Sequence, residues 1–235
     1  VYLMRLAGRA DVIALLESLP DRPLNYRPTD IDETWVRESH RHPVGHERPG
    51  PPQADDLFAR AEAVVRDYAF TPPNIIRAFY NPREPLQGRN MLLEGRFLPF
   101  KFLMPVRITA VHSFSDDEHT VAGWAYETLR GHFERGRVDY TVVKDHSTGQ
   151  IDFNIDTVWQ LHPGAHPVIR LGWSLFGDRT RRAFYSRSGS RLRDLSKPRP
   201  PVVKVPAPSS ASRGLLLLNT TDDDQPPSSR RQQHP

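Results

Sequence analysis

Two runs in the middle of the chain alternate apolar and polar side chains with period two. Val138, Tyr140 and Val142 alternate with Asp139 and Thr141, and Ile151, Phe153, Ile155, Thr157 and Trp159 alternate with Asp152, Asn154, Asp156 and Gln160. Successive side chains of a strand point to opposite faces, so these runs predict strands over 137–145 and 150–161, each with one face in a core. Comparable runs precede them over 106–114 and 119–128, with tight polar turns at 115–118 and 145–149. Four consecutive antiparallel strands joined this way form a meander. Shorter extended pieces are predicted at 75–80, 91–93 and 96–104, separated by Asn81-Pro82-Arg83-Glu84-Pro85, Gly95 and Pro99.

Three stretches follow a helical period instead. Val12, Leu15, Leu16 and Leu19 mark a short amphipathic helix over 9–19 that Pro20 ends. Leu57, Phe58, Ala61, Val64, Val65 and Tyr68 form one stripe over 54–70, with Asp55 and Asp56 in the first turn, where the dipole favours them, and Pro72-Pro73 beyond. After Pro167, Ile169, Trp173, Phe176, Thr180, Ala183 and Phe184 run along one side of a segment predicted to be helical over 167–187, with Leu195 as its furthest end. Arg170, Asp178, Arg181 and Arg182 are placed on its outer side. Residues 20–53 carry Pro23, Pro28, Pro43, Pro49, Pro51 and Pro52 with little period, which reads as a long ordered loop or a strand with wide turns. Inside it, Glu38, His40, His42, His46 and Glu47 have the spacing of a zinc site on an extended segment. The flanking prolines deny such a site a rigid platform, and a polar surface loop is expected.

Composition sharpens the domain boundary. Of 235 residues 37% are hydrophobic, the mean hydropathy is -0.58, and the 23 prolines gather in loops and in the last forty residues. Residues 1–195 are read as a single domain. Residues 196–235, from Ser196 through Lys197-Pro198-Arg199-Pro200-Pro201 to the charged end, are read as a disordered tail, with Leu215 to Leu218 an isolated apolar patch. There is no cysteine, which excludes disulfides, thiolate metal sites and a cysteine nucleophile. No apolar stretch approaches the roughly 20 residues of a membrane span and no secretion signal opens the chain, so a soluble, cytoplasmic protein is expected. The chain begins at Val1, as an alternative start, a processed product or a fragment would. A net charge of +4 and a pI near 9.6 rest mainly on arginine, gathered only at Arg179, Arg181, Arg182, Arg187, Arg191 and Arg193. A basic helix face is ordinarily a solvated face, so nucleic acid is not the expected partner, although a nucleic-acid or protein-binding scaffold built on these arginines stays open as an alternative.

The most distinctive stretch joins the strand at 119–128 to the next: Gly123-Trp-Ala-Tyr126-Glu-Thr128-Leu129-Arg-Gly131-His132-Phe-Glu134-Arg-Gly136. It resembles the signature Gly-aromatic-Ala-Tyr-Gly-Thr-Leu-x-Gly-His-x-Glu-x-Gly-Glu of an uncharacterised family found in bacteria, plants and fungi, catalogued as domain of unknown function nineteen-ninety. Leu24-Asn25-Tyr26, Val44-Gly45-His46, the helix with Phe58 and Ala61, and the strand at 150–158 extend the resemblance to about residues 10–190. The chain departs from the pattern at Glu127, where the family has glycine, at Arg137-Val138, where it has an acidic pair, and at Trp159-Gln160-Leu161, where Ser-Arg-Pro is common.

That family is grouped with the START-like, birch-allergen-like helix-grip proteins. The resemblance therefore implies an α+β fold, a curved antiparallel sheet with a meander wrapped around a long C-terminal helix, with two N-terminal helices added. Such a sheet and helix enclose a cavity suited to an apolar or aromatic small molecule, oriented by a few polar groups and needing no cofactor. Tyr126 and Thr128 share one strand face, His132 and Glu134 follow at the rim, and Trp124 and Trp173 complete the expected ligand contacts. A histidine with an ordinary pKa of ~6.5 beside a carboxylate can exchange a proton near neutrality. Tyr126, His132 and Glu134 thus also suit a cyclase- or hydrolase-like enzyme. A purely structural role competes with both: glycines at 131 and 136 suit a sharp turn, Thr128 can bond backbone, and His132 and Glu134 can pin the loop by a mutual bond.

Overall fold

The computed structural model describes residues 9–97, 100–165, 167–198 and 217–218. In chain order the elements are α1 (Arg9–Glu17), β1 (Val36–His46), α2 (Leu57–Arg66), β2 (Ile76–Tyr80), β3 (Asn90–Phe97), β4 (Phe100–Ser115), β5 (His119–Thr128), β6 (Glu134–Asp145), β7 (Gln150–Leu161), α3 (Pro167–Leu195) and the two-residue β8 (Leu217–Leu218). All strands join one antiparallel sheet in the order β1-β7-β6-β5-β4-β3-β2-β8. The meander is thus longer than the alternation alone predicts, running from β2 to β7. The extended pieces on either side of Pro105 are one strand, β4, because pairing with β5 starts only at Val106 opposite Thr128. Pro105, which has no N–H to give, lies just before that ladder and accepts from Leu129 N at 3.0 Å.

β1 corrects the surface-loop reading of residues 36–46. It pairs with β7 from Val36 opposite Trp159 to His46 opposite Gln150, with an irregularity between Pro43 and Gly45. An edge strand tolerates a proline at such a bulge because one side of its ladder is empty. Alternation then turns Glu38, His40, His42 and Val44 toward the inner face of the sheet.

Helices lie on both faces. α2 and α3 cover the inner face, where Tyr68, Phe70, Trp124, Tyr140 and Phe153 are each no more than 1% exposed. Trp124 Nε1 donates to Val65 O at 2.9 Å and fastens β5 to α2. α1 packs on the outer face, its Val12, Leu15 and Leu16, with Leu19 just beyond its end, against Leu92, Leu103 and Leu129. This is the helix-grip arrangement: a curved sheet closed by a long C-terminal helix. β8 pairs Leu218 with Phe79 and Leu217 with Tyr80; the rest of the expected tail beyond Pro198 lies outside the described residues.

α2 is anchored by a charge inside the core. Asp56 caps it by accepting from Leu57 N at 2.8 Å, and one carboxylate oxygen of Glu47 accepts from Phe58 N. The other oxygen receives Lys144 Nζ at 2.6 Å, both side chains being 1% exposed. One carboxylate therefore satisfies a helix terminus and a buried ammonium together. Lys144→Met strands that carboxylate and is expected to lower the unfolding free energy by about 3–5 kcal/mol in urea denaturation. Adding Glu47→Gln, which keeps the acceptor for Phe58, is expected to recover most of the loss.

Candidate functional site

The connection between β5 and β6 is held by its own polar side chains. Gly136 N donates to Thr128 Oγ1 at 2.9 Å, and the hydroxyl donates to Asn25 Oδ1 at 2.6 Å. Asn25 Nδ2 donates to Glu134 O at 2.7 Å, and Asn25 N to Thr128 O at 3.1 Å. Gly131 turns the chain with a φ of 105°, a left-handed conformation that favours glycine. Gly136, expected at a turn, lies inside β6, where a Cβ would stand 2.2 Å from Val158 O in β7. Gly123 answers the same demand: a Cβ there would meet Tyr140 O at 2.0 Å.

His132 belongs to this connection. Its Nδ1 accepts from Glu134 N at 2.9 Å, so the expected mutual bond is made by the backbone and not by the Glu134 carboxylate. The ring stacks near Phe133 with centroids 5.2 Å apart. Burial, with the charge of Arg181 adding to it, pushes its pKa down to about 3. At neutral pH the imidazole is neutral and one nitrogen is occupied.

Glu134 turns the other way, onto α3. Its carboxylate pairs with Arg181, and the two side chains are only 15% and 11% exposed. Arg181 Nη1 also donates to Tyr185 OH at 3.1 Å and lies 3.8 Å from Glu38 Oε2, and its guanidinium stands 3.7 Å over the Trp159 ring. Glu38 Oε2 further accepts from Trp159 Nε1 at 3.2 Å and Tyr185 OH at 3.3 Å. Burial pushes the Glu134 carboxyl above its ordinary range, and Arg181 opposes that push. Burial also works against the guanidinium, but Glu134 and Glu38 outweigh it and hold Arg181 protonated.

Tyr126 borders this cluster. Burial raises its phenol pKa, Tyr140 is its hydrogen-bond partner, and Glu134, Tyr185 and Arg181 all act on it electrostatically. Phe102, Phe133, Val138 and Leu161 supply apolar surface packed on the core. Of the residues expected to touch a ligand, the fold thus brings Tyr126 and Glu134 to one cluster. Thr128 and His132 brace the connection, Trp124 faces α2, and the Trp173 side chain lies outside the described residues. Sequence reading missed Glu38, Arg181 and Tyr185. Arg181, placed on the outer side of the helix, points inward; its i+4 spacing to Tyr185 and i+7 spacing to Ser188 is the signal of the true face.

The outer face carries a separate string. Tyr26 OH donates to Glu127 Oε1 at 2.5 Å, Arg137 makes two 2.7 Å bonds to Asp139, and His112 Nε2 lies 2.9 Å from Asp139 Oδ1. An open groove of about 360 Å³ lies beside it over Arg37, Ser39, Asp156 and Val158, across the sheet from Tyr126. Among the described residues no group of three or more potential ligands is placed to hold a metal ion, and no helix is long and apolar enough to cross a membrane.

The family model described as "Domain of unknown function (DUF1990)" matches residues 25–191. The chain belongs to the DUF1990 family. No curated protein matches it. Among solved structures it is similar to a protein of Thermus thermophilus, TTHA0849, with 8% identity over 69% of this chain and 96% of that one and a TM-score of 0.41. It is also similar to human STARD10, with 9% identity over 80% and 82% of the two chains and a TM-score of 0.39. A third is norcoclaurine synthase from Thalictrum flavum in complex with dopamine and hydroxybenzaldehyde, with 9% identity over 74% and 94% and a TM-score of 0.39. In this DUF1990 chain the matched span takes in both Asn25, which clamps the connection, and Arg181, which receives Glu134.

Replacing His132 tests the division between bracing and chemistry. His132→Ala removes the acceptor for a buried N–H and is expected to cost about 1–3 kcal/mol in urea denaturation. His132→Asn, which offers an oxygen in place of Nδ1, is expected to keep most of that stability. A base whose folded pKa lies below 6.5 adds stability above that pH, and the contribution is lost as the pH falls toward about 3. His132→Asn is therefore expected to lose less stability than the wild type over that interval.

Proposed function

We infer that this DUF1990 chain binds a small molecule with an apolar or aromatic body, taken up between the inner face of β5, β6 and β7 and the helix α3, and performs no chemistry on it. The observation that carries the reading is the largely buried Glu134–Arg181 pair, with Tyr185, Tyr126 and the partly exposed Glu38 beside apolar surface. Burying a charge pair is costly, and hydrophobic residues of similar size would close the helix onto the sheet as well or better. A polar cluster beside an apolar wall is what orients a small ligand. The ligand's body would lie toward Phe102, Phe133, Val138 and Leu161, because the centre of the inner face is filled by Trp124, Tyr140 and Phe153.

Binding is favoured over acid/base catalysis because His132 does not titrate near neutrality and its Nδ1 is engaged. A scaffold acting through the arginines of α3 is weakened by their internal duties. Arg181 pairs with Glu134, Arg191 Nε donates to Ala69 O at 2.9 Å, and Arg193 Nη2 donates to Pro43 O at 2.6 Å.

Titration with anilinonaphthalene sulfonate, an aromatic probe with a polar head, tests the reading at neutral pH. The wild type is expected to bind it with defined stoichiometry, and Tyr126→Phe, and Arg181→Met made together with Glu134→Gln so that no buried carboxylate is stranded, are expected to weaken binding by about tenfold with unchanged circular dichroism. A wild type that does not bind, or variants that bind equally well, would sink the proposal. Native mass spectrometry of the protein from its own source would identify a ligand carried through purification.

A further inference from the structure

β1 meets α3 along a line of polar groups that the charged cluster does not use. His40 stacks on Tyr185 with ring centroids 4.0 Å apart, and the ring of His42 lies against Gly189, where a Cβ would come within 2.4 Å of it. The Nε2 atoms of both histidines are buried without a hydrogen-bond partner, and so is Oγ of Ser188, a residue with no exposure. Tyr185, Ser188, Gly189 and Leu192 are spaced as one helix face, so three partnerless polar atoms are gathered along a single helix–strand seam.

We propose that this seam is an acid-sensitive latch: while the His42 ring is uncharged α3 lies on β1, and protonation of His42 lifts the helix from the strand. A neutral imidazole tolerates a dry contact with a glycine backbone at modest cost. An imidazolium carries a hydrogen on Nε2 and finds no acceptor for it there. The surroundings add to the difficulty. From α3, Arg193 reaches over Pro43 with Nε at 3.0 Å from its carbonyl, placing a fixed positive charge beside His42, while Arg181 and Tyr185 lie further along the helix. From β1 itself come His40 and the strand's inward carboxylate, Glu38, which is already shared by Trp159, Tyr185 and Arg181. From β7 come Phe153, 6.2 Å from His42 between ring centroids, and Ile155 opposite His40, neither of them ionisable. Asp152 and Asp156 belong to the other face of β7, and α2 meets β1 through Leu57 against Gly45.

Burial pushes the His42 pKa below its ordinary value, with His40 and Arg193 adding to the shift. The sign follows. A base that is harder to protonate when folded contributes its full stability above its unfolded pKa of ~6.5, and that contribution falls away as the pH drops below it. The loss is local to the seam. It would free the helix that carries Arg181 over the inner face, and so, if the proposed ligand site is real, acidification would also release the ligand.

Amide hydrogen exchange of the full chain, expressed as protection factors at pH 7.5 and pH 5.0, tests the latch without any ligand. Protection over residues 184–195 is expected to fall by about tenfold at the lower pH, while α2 over 57–66 keeps its protection. His42→Phe, an apolar ring beside Phe153, is expected to abolish the pH dependence; should that variant not fold, His42→Gln serves in its place. Equal loosening of α2 and α3 in the wild type, or a pH response in the variant as large as in the wild type, would overturn the proposal. Loss of dye binding at neutral pH bears only on the ligand reading and leaves the latch standing.

Discussion

One guanidinium holds the terminal helix to the sheet at three strands together. Arg181 leaves α3 to meet Glu134 at the start of β6, Trp159 near the end of β7 and Glu38 on β1. These strands are neighbours, in the order β1-β7-β6, so the contact fixes where α3 crosses the curved sheet as well as that it does. An apolar contact of equal area would bind the helix with less regard to position, whereas a fork of donors facing two carboxylates and a ring has essentially one geometry. The cost is the desolvation of the Glu134–Arg181 pair and, in part, of Glu38, offset by the bonds among them. That exchange of stability for placement gives the inner face its chemical character.

The motif that marks the family divides its labour along the same line. Thr128, Gly131, His132 and Gly136, with Asn25 from the preceding segment, make a connection tight enough to send Glu134 inward with its backbone carbonyl already bonded to Asn25. The residues most distinctive in sequence are therefore mostly the support, and the group they deliver to the interior is one carboxylate. Tyr126, reached through the strand and not through the connection, is bonded to Tyr140 and stays on the border of the charged cluster.

Strands that are half buried were legible because their alternation reports directly on which face meets the core. Elements whose buried positions are polar were not. The inward face of α3 includes Arg181 and Ser188, so a search for apolar period selected Thr180 and Ala183 and set the helix out of phase by about one residue. β1 failed for the same reason: its inward residues before Val44 are Glu38, His40 and His42, and Pro43 suggested a loop where an edge strand could absorb it. In both cases the ionic or stacking partner that makes burial tolerable lies far away along the chain, beyond the reach of any local pattern. The charged cluster is thus hidden by the polarity of its own residues.

The departures from the family signature carry the argument one step further. Glu127 and Arg137, where the resemblance implies a glycine and an acidic residue, lie directly opposite each other on β5 and β6. On the outer face Glu127 accepts from Tyr26 and Arg137 grips Asp139. Opposite charges on directly facing cross-strand neighbours are a pairing a sheet rewards. Trp159 provides the plate under Arg181 and a donor to Glu38. A serine there would leave the guanidinium without its aromatic face and Glu38 with one donor fewer, so the charged cluster takes its particular form from this chain's own residues. The chemical character of the inner face therefore rests on Trp159, Glu38 and Arg181 together.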